Sequence, residues 1–229
     1  MGKQAKWTKK IAAYVNAFFR KHLTIPRMRR KLRQTDFTLL SNNCFAGLFL
    51  HDLGLRFDTP TVNLFFRGTD FFDFLEHLDH YLSMPLEEIS NSVPELAGLN
   101  YPVARISGGD AGKDIEIHFM HYTSFEEAET AWEKRKQRIH PDHLFAVWNY
   151  FESGDEAMFA RAQALPLKHK MIIVNHPVDK QEYPDFRFVK GLTETADFFA
   201  DKGFFGRPYD RIDLVGWINQ GMEEKKNQY

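Results

Sequence analysis

The sequence contains a single cysteine, Cys44, among its 229 residues. One cysteine excludes an internal disulfide framework and makes a reducing compartment the default. Long apolar runs are also missing. None approaches the roughly 20 residues needed to cross a bilayer, and the N-terminus lacks the uninterrupted apolar core of a secretory signal. These absences predict a cytoplasmic protein, and the hydrophobic residues, 43% of the chain, suffice for one large core.

Several sequence signatures of common enzyme classes are absent as well. The chain has no Gly-x-Gly-x-x-Gly fingerprint, no Gly-x-Ser-x-Gly elbow and no Asp-x-Asp pair of the kind that holds a sugar-nucleotide metal. The glycine-rich segment 107–114 is not a P-loop, because Ser107 replaces its first glycine and Asp114 follows the lysine. The histidine pairs 118/121 and 140/143 are spaced i, i+3, which is common in a chain with ten histidines. We predict neither a metal nor another cofactor.

Acidic residues are missing from residues 1–33, which contain eleven Lys or Arg, whereas the remainder has 19 basic and 31 acidic residues. Apolar residues recur there at helical spacing: Ile11, Tyr14, Val15, Phe18 and Phe19. We predict a basic amphipathic helix and linker over residues 1–35, followed by a single α/β domain over 36–229. Residues 1–33 could lie on an anionic membrane surface, at about 1 kcal/mol per cation near the headgroups, or the helix could pack on the domain. The acidic remainder would repel the phosphates of a nucleic acid, so that partner is not expected.

From residue 36 onward, strand patterns alternate with helix patterns. Apolar runs predict strands at Phe37–Leu40, Thr61–Phe66, Tyr101–Ser107, Asp114–Met120, His143–Tyr150, Met171–Val174 and Phe186–Val189. Periodicity and caps predict helices at Cys44–Leu53, Asp70–Leu82, Phe125–Ile139 after a Ser124 capping box, Glu156–Ala164 after Ser153, and Tyr209–Met222. Residues 85–99 are expected to be irregular or briefly helical. This alternation predicts a three-layer α/β fold, with a mostly parallel or mixed sheet, helices on both faces and the N-terminal basic helix.

Polar side chains follow three of the predicted strands. They are Ser41, Asn42 and Asn43 after the first strand, Asn149 near the end of another, and Asn175 and His176 after a third. In open α/β sheets, ligands collect beyond the carboxyl ends of the strands. Amides and imidazoles both donate and accept hydrogen bonds, which suits a hydroxyl-rich ligand such as a sugar. The alternative is that asparagine simply forms good turns between strands and helices.

Cys44 stands at the start of a predicted helix. The helix dipole and free amides there lower the pKa of a thiol and favour a nucleophilic thiolate. His118, His121 and His176 are candidate bases, and His121 is the preferred one. The alternative is that an isolated cysteine packs as a small hydrophobic residue.

The helix predicted after Ser124 has two arginines near its end. Arg135 flanks the buried stripe of this helix, and Arg138 lies further round. A guanidinium beside a buried stripe needs a carboxylate or a phosphate. Arg135 therefore either pairs with an acidic residue of the domain or anchors a nucleotide or lipid-linked diphosphate.

Three blocks of sequence resemble a bacterial family of unknown function whose members are often labelled exopolysaccharide or capsule biosynthesis proteins. The blocks are residues 41–47 (SNNCFAG), residues 114–122 (DIEIHFMHY) and Trp132-x-x-Arg135-x-x-Arg138-Ile139, within a similarity spanning about 36–217. The family pattern has an aromatic residue and two glycines after the cysteine. Phe45 fits this pattern, and Ala46 replaces a glycine. The resemblance implies a cell-envelope polysaccharide context and an α/β fold, but it supplies no reaction.

The residues and the resemblance together predict a transferase of surface polysaccharide assembly, acting on a sugar nucleotide or a lipid-linked saccharide, cytoplasmic or peripheral at the inner face of the membrane. Asn42, Asn43 and Asn149 would bind hydroxyls, Arg135 and Arg138 the phosphates, with His121 as base and Cys44 as a further candidate nucleophile. One alternative is a non-catalytic saccharide-binding or scaffold module of the same assembly. Another is a purely structural interaction protein.

Overall fold

The strands of the computed structural model form two sheets, and the model describes residues 14–91, 98–150, 156–190 and 207–226. The first sheet is parallel, in the order β1 (Thr38–Ser41), β6 (Leu144–Tyr150), β7 (His169–Val174) and β8 (Phe186–Phe188). The second is antiparallel, in the order β2 (Phe65–Phe66), β5 (Ile115–His118), β4 (Val103–Ile106) and β3 (Glu87–Ile89). The predicted α/β class is confirmed, with the strands divided between a parallel and an antiparallel sheet.

The helices surround these two sheets. Residues 14–31 are helical and continue through a π-helical turn, Arg20–Thr24, into α1 (Ile25–Lys31). The others are α2 (Phe45–Leu53), α3 (Asp70–Glu76), α4 (Leu78–Ser83), α5 (Phe125–Lys136), α6 (Glu156–Ala164) and α7 (Leu214–Lys226). Short 3-10 turns lie at Gly109–Ala111, Pro141–His143 and Pro208–Asp210. Within the described ranges, no helix combines the length and apolar character needed to cross a membrane.

The parallel sheet is buried on both faces because its residues alternate between two cores. On β6, Phe145 and Val147 face a core formed with α2 and α7. Ala146 and Trp148 face the other core, which contains α3, α6 and the inner face of the antiparallel sheet. The short apolar runs of the sequence are therefore strands covered by helices on one side and by helices and a second sheet on the other.

The N-terminal helix packs on the domain through ion pairs. Arg20 contacts both Asp52 and Asp210, and its side chain is only 16% exposed. Lys31 pairs with Asp213 and Arg33 with Glu223 at more exposed positions. Of the two alternatives for this segment, packing on the domain is what the structure shows for residues 20–33.

Four predictions differ from the structure. Residues 85–99, expected to be irregular or briefly helical, contain the edge strand β3. The helix predicted from Tyr209 begins at Leu214, after the 3-10 turn at Pro208–Asp210. The strand predicted at Thr61–Phe66 is wrong for its first part, because only Phe65–Phe66 pairs with β5. Upstream of it, Thr61 Oγ1 accepts a hydrogen bond from Ser41 N (3.0 Å), so side chains replace the strand ladder. The helix predicted from Asp70 to Leu82 is broken at His77, whose φ is −127° and ψ is 42°. The Ser153 cap lies outside the described residues.

Candidate functional site

The carboxyl ends of β1 and β6 are joined by the side chain of Asn42. Its Oδ1 accepts a hydrogen bond from Asn149 N (3.0 Å), and its Nδ2 donates to Asn149 O (3.2 Å). The amide thus extends the pairing of the two strands beyond Ser41. The geometry favours a positioning role for Asn42, since the backbone of Asn149 uses both of its polar atoms.

Ser41 fixes the turn that follows β1. Its buried hydroxyl donates to Asn43 O (2.6 Å) and accepts from Ala46 N (3.0 Å). Ser41 is 0% exposed, so it can affect a ligand only through the residues that it positions. Ala46, which stands where the family pattern has a glycine, is also 0% exposed, and its N–H still approaches Ser41 closely.

Asn43 and Asn149 form a second side-chain contact at the same edge. Asn43 Oδ1 accepts two hydrogen bonds. One comes from Phe45 N (3.1 Å) and the other from Asn149 Nδ2 (3.1 Å). Asn149 is 3% exposed, and its Oδ1 has no hydrogen-bond partner within the part of the chain that the structure describes. Buried amide oxygens are normally paired, so this one is available to a group brought in by a ligand or a water.

The two residues predicted to be catalytic lie side by side. Cys44 caps α2, and its Sγ lies 3.5 Å from His121 Nε2. His121 belongs to the turn after β5, where Tyr122 N donates to Phe119 O (3.1 Å). The antiparallel sheet therefore delivers an exposed imidazole to the edge of the parallel sheet, beside the only thiol of the chain.

The predicted lowering of the thiol pKa is wrong. Burial raises the pKa of Cys44 from its ordinary 9.0 to about 11, and a backbone hydrogen bond opposes this only in part. Desolvation thus outweighs the helix N-terminus, and the thiol is protonated at neutral pH. The protonated thiol donates to His121 Nε2 in the tautomer that leaves this nitrogen without a proton, and it accepts from Nε2 in the other tautomer.

A cleft of about 860 Å³ begins at His121 and runs along α5. Its walls come from α5, from the turn after β5 and from the loop between α2 and β2. The residues that line it are Leu55, Arg56, Phe57, Asn63, His121, Tyr122, Ser124, Glu126, Glu127, Thr130, Ala131, Lys134, Arg135 and Arg138. Three of the predicted site residues, His121, Arg135 and Arg138, therefore share one cavity.

Arg135 has no acidic partner in this cleft. Its Nη1 donates to Val62 O (3.4 Å) and to the hydroxyl of Tyr122, and its guanidinium carbon lies 5.7 Å from the centre of the Phe57 ring. Lys134 and Arg138 likewise make no ion pair with any residue that the structure describes. The alternative that Arg135 pairs with an acidic residue is therefore not what the structure shows. Three cations thus line one wall, and none of them forms an ion pair with a described carboxylate.

The remaining candidates Asn175, His176 and His118 do not line this cleft. His176 follows β7 and stacks on Phe159 of α6, with ring centres 5.7 Å apart, while its Nδ1 contacts Asn175 Oδ1 (3.1 Å). His118 is 0% exposed and stacks on Phe65. Burial, with a smaller effect of the Arg67 charge, lowers the pKa of His118 to about 4, so it is a neutral core histidine. Neither histidine contacts Cys44.

The sequence did not indicate several residues of the cleft. Asn63 has a φ of 64° and is the one non-glycine residue in the left-handed region among the described residues. It was placed inside a predicted strand, where such a conformation is not expected. Phe57 and Tyr122, which hold the Arg135 guanidinium, look like ordinary core aromatics in the sequence. For Asn63, the available signal in the sequence was an asparagine directly after Pro60-Thr61-Val62, a combination that favours a turn.

Comparison with known proteins identifies the family. Residues 14–219 match the model of a family described as a domain of unknown function, DUF1919. An uncharacterized protein of Haemophilus influenzae is 33% identical over 199 residues, which cover 84% of this chain and 88% of that protein. The resemblance to a bacterial family of unknown function is thereby confirmed, and the matched region includes the N-terminal helix from residue 14.

Proposed function

The chain belongs to the DUF1919 family, and we propose that it acts in bacterial cell-surface polysaccharide assembly, as a transferase for an activated sugar. The donor is a sugar nucleotide or a lipid-linked saccharide, whose phosphates lie on the cationic wall of the cleft. The polysaccharide context comes from the three sequence blocks at residues 41–47, 114–122 and 132–139, which resemble proteins that carry exopolysaccharide or capsule labels.

The observation that carries this proposal is the set of unneutralised cations Lys134, Arg135 and Arg138. Residues 34–229 contain more acidic than basic residues, so carboxylates are plentiful, yet none pairs with these three among the described residues. The acidic lining residues Glu126 and Glu127 stand at the opposite end of α5, roughly 10 Å or more along the helix axis at 1.5 Å per residue. A phosphate is the ligand that a planar guanidinium without a carboxylate partner binds best.

The sugar would lie toward the strand edge, near His121. Asn149 Oδ1 supplies an unpaired acceptor there, and Asn43 Nδ2 makes no hydrogen bond to a described residue and supplies a donor. A sugar hydroxyl both donates and accepts, so it satisfies the two amides together. In the transfer step, His121 takes the proton of the acceptor hydroxyl while the oxygen of that hydroxyl bonds to the anomeric carbon of the sugar. The bond between the anomeric carbon and the phosphate oxygen breaks, and the phosphate leaves toward Arg135 and Arg138.

Binding is tested by thermal shift with a panel of nucleoside diphosphate sugars and with a polyprenyl phosphate. A ligand at a hundred times its Kd should raise the Tm by about 5–10 °C, from about 2.7 kcal/mol of linkage and about 2–4 °C per kcal/mol for a domain of this size. Arg138→Gln should weaken binding at least about tenfold, the value of one charged hydrogen bond. Lys136→Gln is the matched control, because Lys136 pairs with Glu133 and does not line the cleft.

A non-catalytic saccharide-binding module is the second candidate, and the protonated Cys44 thiol favours it. The two candidates differ in what His121→Ala does. A transferase loses surface polysaccharide in a complemented deletion strain while the purified variant still binds its ligand. If output survives His121→Ala, Cys44→Ser and Arg135→Gln in proteins that remain folded, the transferase proposal is lost. If no member of the panel shifts the Tm, the proposed ligand class is wrong.

A further inference from the structure

The N-terminal helix exposes a stripe of apolar side chains. Eight large hydrophobic residues are exposed among the described residues, and five of them fall within residues 14–23. These five, called the apolar stripe below, are Tyr14 (78% exposed), Val15 (46%), Phe18 (61%), Phe19 (51%) and Leu23 (43%). Large apolar side chains that cluster on a surface mark a contact with a partner or a lipid phase.

The stripe points away from the domain on which the helix packs. Arg20, which lies within the same stretch as the stripe, pairs with Asp52 and Asp210 of the domain. At 100° per residue, Phe18 lies about 160° around the helix from Arg20. Tyr14 and Val15 lie about 120° and 140° from Arg20 by the same rule, so these three side chains face away from the domain. The exposure of all five shows that the stripe is uncovered by the rest of the described chain.

The charges around the stripe select its partner. Residues 1–33 contain eleven cations and no Asp or Glu. Arg20, Lys31 and Arg33 are neutralised by the domain, whereas Lys21, Arg27 and Arg30 are exposed and form no ion pair with a described residue. A second copy docking through the same stripe would bring two basic segments together. An anionic lipid surface would instead neutralise them, at about 1 kcal/mol per cation near the headgroups.

We propose that the apolar stripe and the cations Lys21, Arg27 and Arg30 dock this protein on an anionic membrane surface, with the helix lying in the plane of the interface. Aromatic side chains enter the boundary between headgroups and acyl chains while lysine and arginine contact the lipid phosphates. The ion pairs of Arg20 then connect the docked helix to the domain. This docking goes beyond the proposed transfer reaction and does not depend on the ligand of the cleft.

The test is flotation of the full chain with vesicles of phosphatidylcholine alone and of phosphatidylcholine mixed equally with phosphatidylglycerol. We expect binding to the mixed vesicles, weakened by added salt because exposed charges are screened. The double variant F18S/F19S should bind about tenfold or more weakly, since two half-exposed Phe side chains lose their transfer into lipid. Each of Lys21→Ser, Arg27→Ser and Arg30→Ser should weaken binding about fivefold.

The matched control is Phe188→Ser, which removes a phenylalanine that is 41% exposed on the domain and should leave flotation unchanged. Circular dichroism and the Tm of each variant show whether the fold is retained. Equal binding to both vesicle types would overturn the proposal, as would equal binding of F18S/F19S and the unchanged chain. A lipid-free dimer that F18S/F19S dissociates, without binding to the mixed vesicles, would assign the stripe to a second copy and also overturn it.

Discussion

Alkylation of Cys44 is the sharpest test of what the strand edge does. Burial raises the pKa of this thiol to about 11 although it stands at the N-terminus of α2. Iodoacetamide reacts with the thiolate, so its rate follows the thiolate fraction. The chain has one cysteine, and every alkylation event therefore reports on Cys44.

The magnitude follows from the two pKa values. At pH 7.5, a thiol with a pKa of about 11 is roughly a hundred times less ionised than one at its ordinary 9.0. The native protein should therefore react about a hundredfold more slowly than the chain unfolded in urea. Between pH 7 and 9.5, the native rate should rise about tenfold per pH unit without reaching a plateau, as followed by mass spectrometry.

A different profile would refute this reasoning. If Cys44 and His121 formed a thiolate–imidazolium pair across their 3.5 Å contact, the rate would show a plateau between pH 5 and 8. His121→Ala would then abolish that plateau. Such a result would mean that the helix N-terminus and the imidazole outweigh burial, and it would restore Cys44 as a nucleophile.

Two further predictions concern stability and are measured by urea unfolding. Arg20→Ala should lower the free energy of unfolding by about 3 kcal/mol, because it leaves two largely buried carboxylates without a cation. Lys31→Ala, in an ion pair whose members are 51% and 65% exposed, should lower it by less than about 1 kcal/mol. Equal losses in the two variants would contradict this. The pKa of His118 is lowered from 6.5 in the unfolded chain to about 4 in the folded chain. Below pH 6.5 the unfolded chain therefore binds a proton that the folded chain does not. The free energy of unfolding should be about 2 kcal/mol lower at pH 5 than at pH 8. His118→Gln should remove that part of the pH dependence, and an unchanged pH profile in the variant would show that His118 is protonated in the folded state.

The strands of the parallel sheet were predictable because each is a short apolar run between clear turns. Met171–Val174 and the residues before Asn149 are examples. Because both faces of these strands are buried, their sequences are continuous apolar runs. The loop between α2 and β2 was not predictable. Thr59 and Thr61 have strand-like sequence, yet their hydroxyls bond to each other (3.1 Å), and the Thr61 hydroxyl also accepts from Ser41 N. No local sequence pattern encodes these tertiary contacts.

The residues of the candidate site at the strand ends were predictable from the sequence, but those that line the cleft were not. Asn43, Cys44 and Asn149 were expected together because parallel strands end at one edge, and they are hydrogen-bonded or adjacent there. The place of His121 depends on a second sheet whose position no periodicity reveals. The thiol pKa could not be predicted either, because the sequence shows the helix start but not the burial that opposes it.

The site lies where the two sheets meet, and three contacts tie them together there. Phe66 N of β2 donates to Asn42 O (2.9 Å), His121 contacts Cys44, and Arg135 donates to Val62 O. Each contact joins the edge of the parallel sheet, or the loop between α2 and β2, to the layer that contains the antiparallel sheet and α5. A ligand that spans the cationic wall and the asparagine edge would therefore bridge both layers. Its binding should stabilise the packing of the two layers as one unit, because the ligand binds only where both layers are in place.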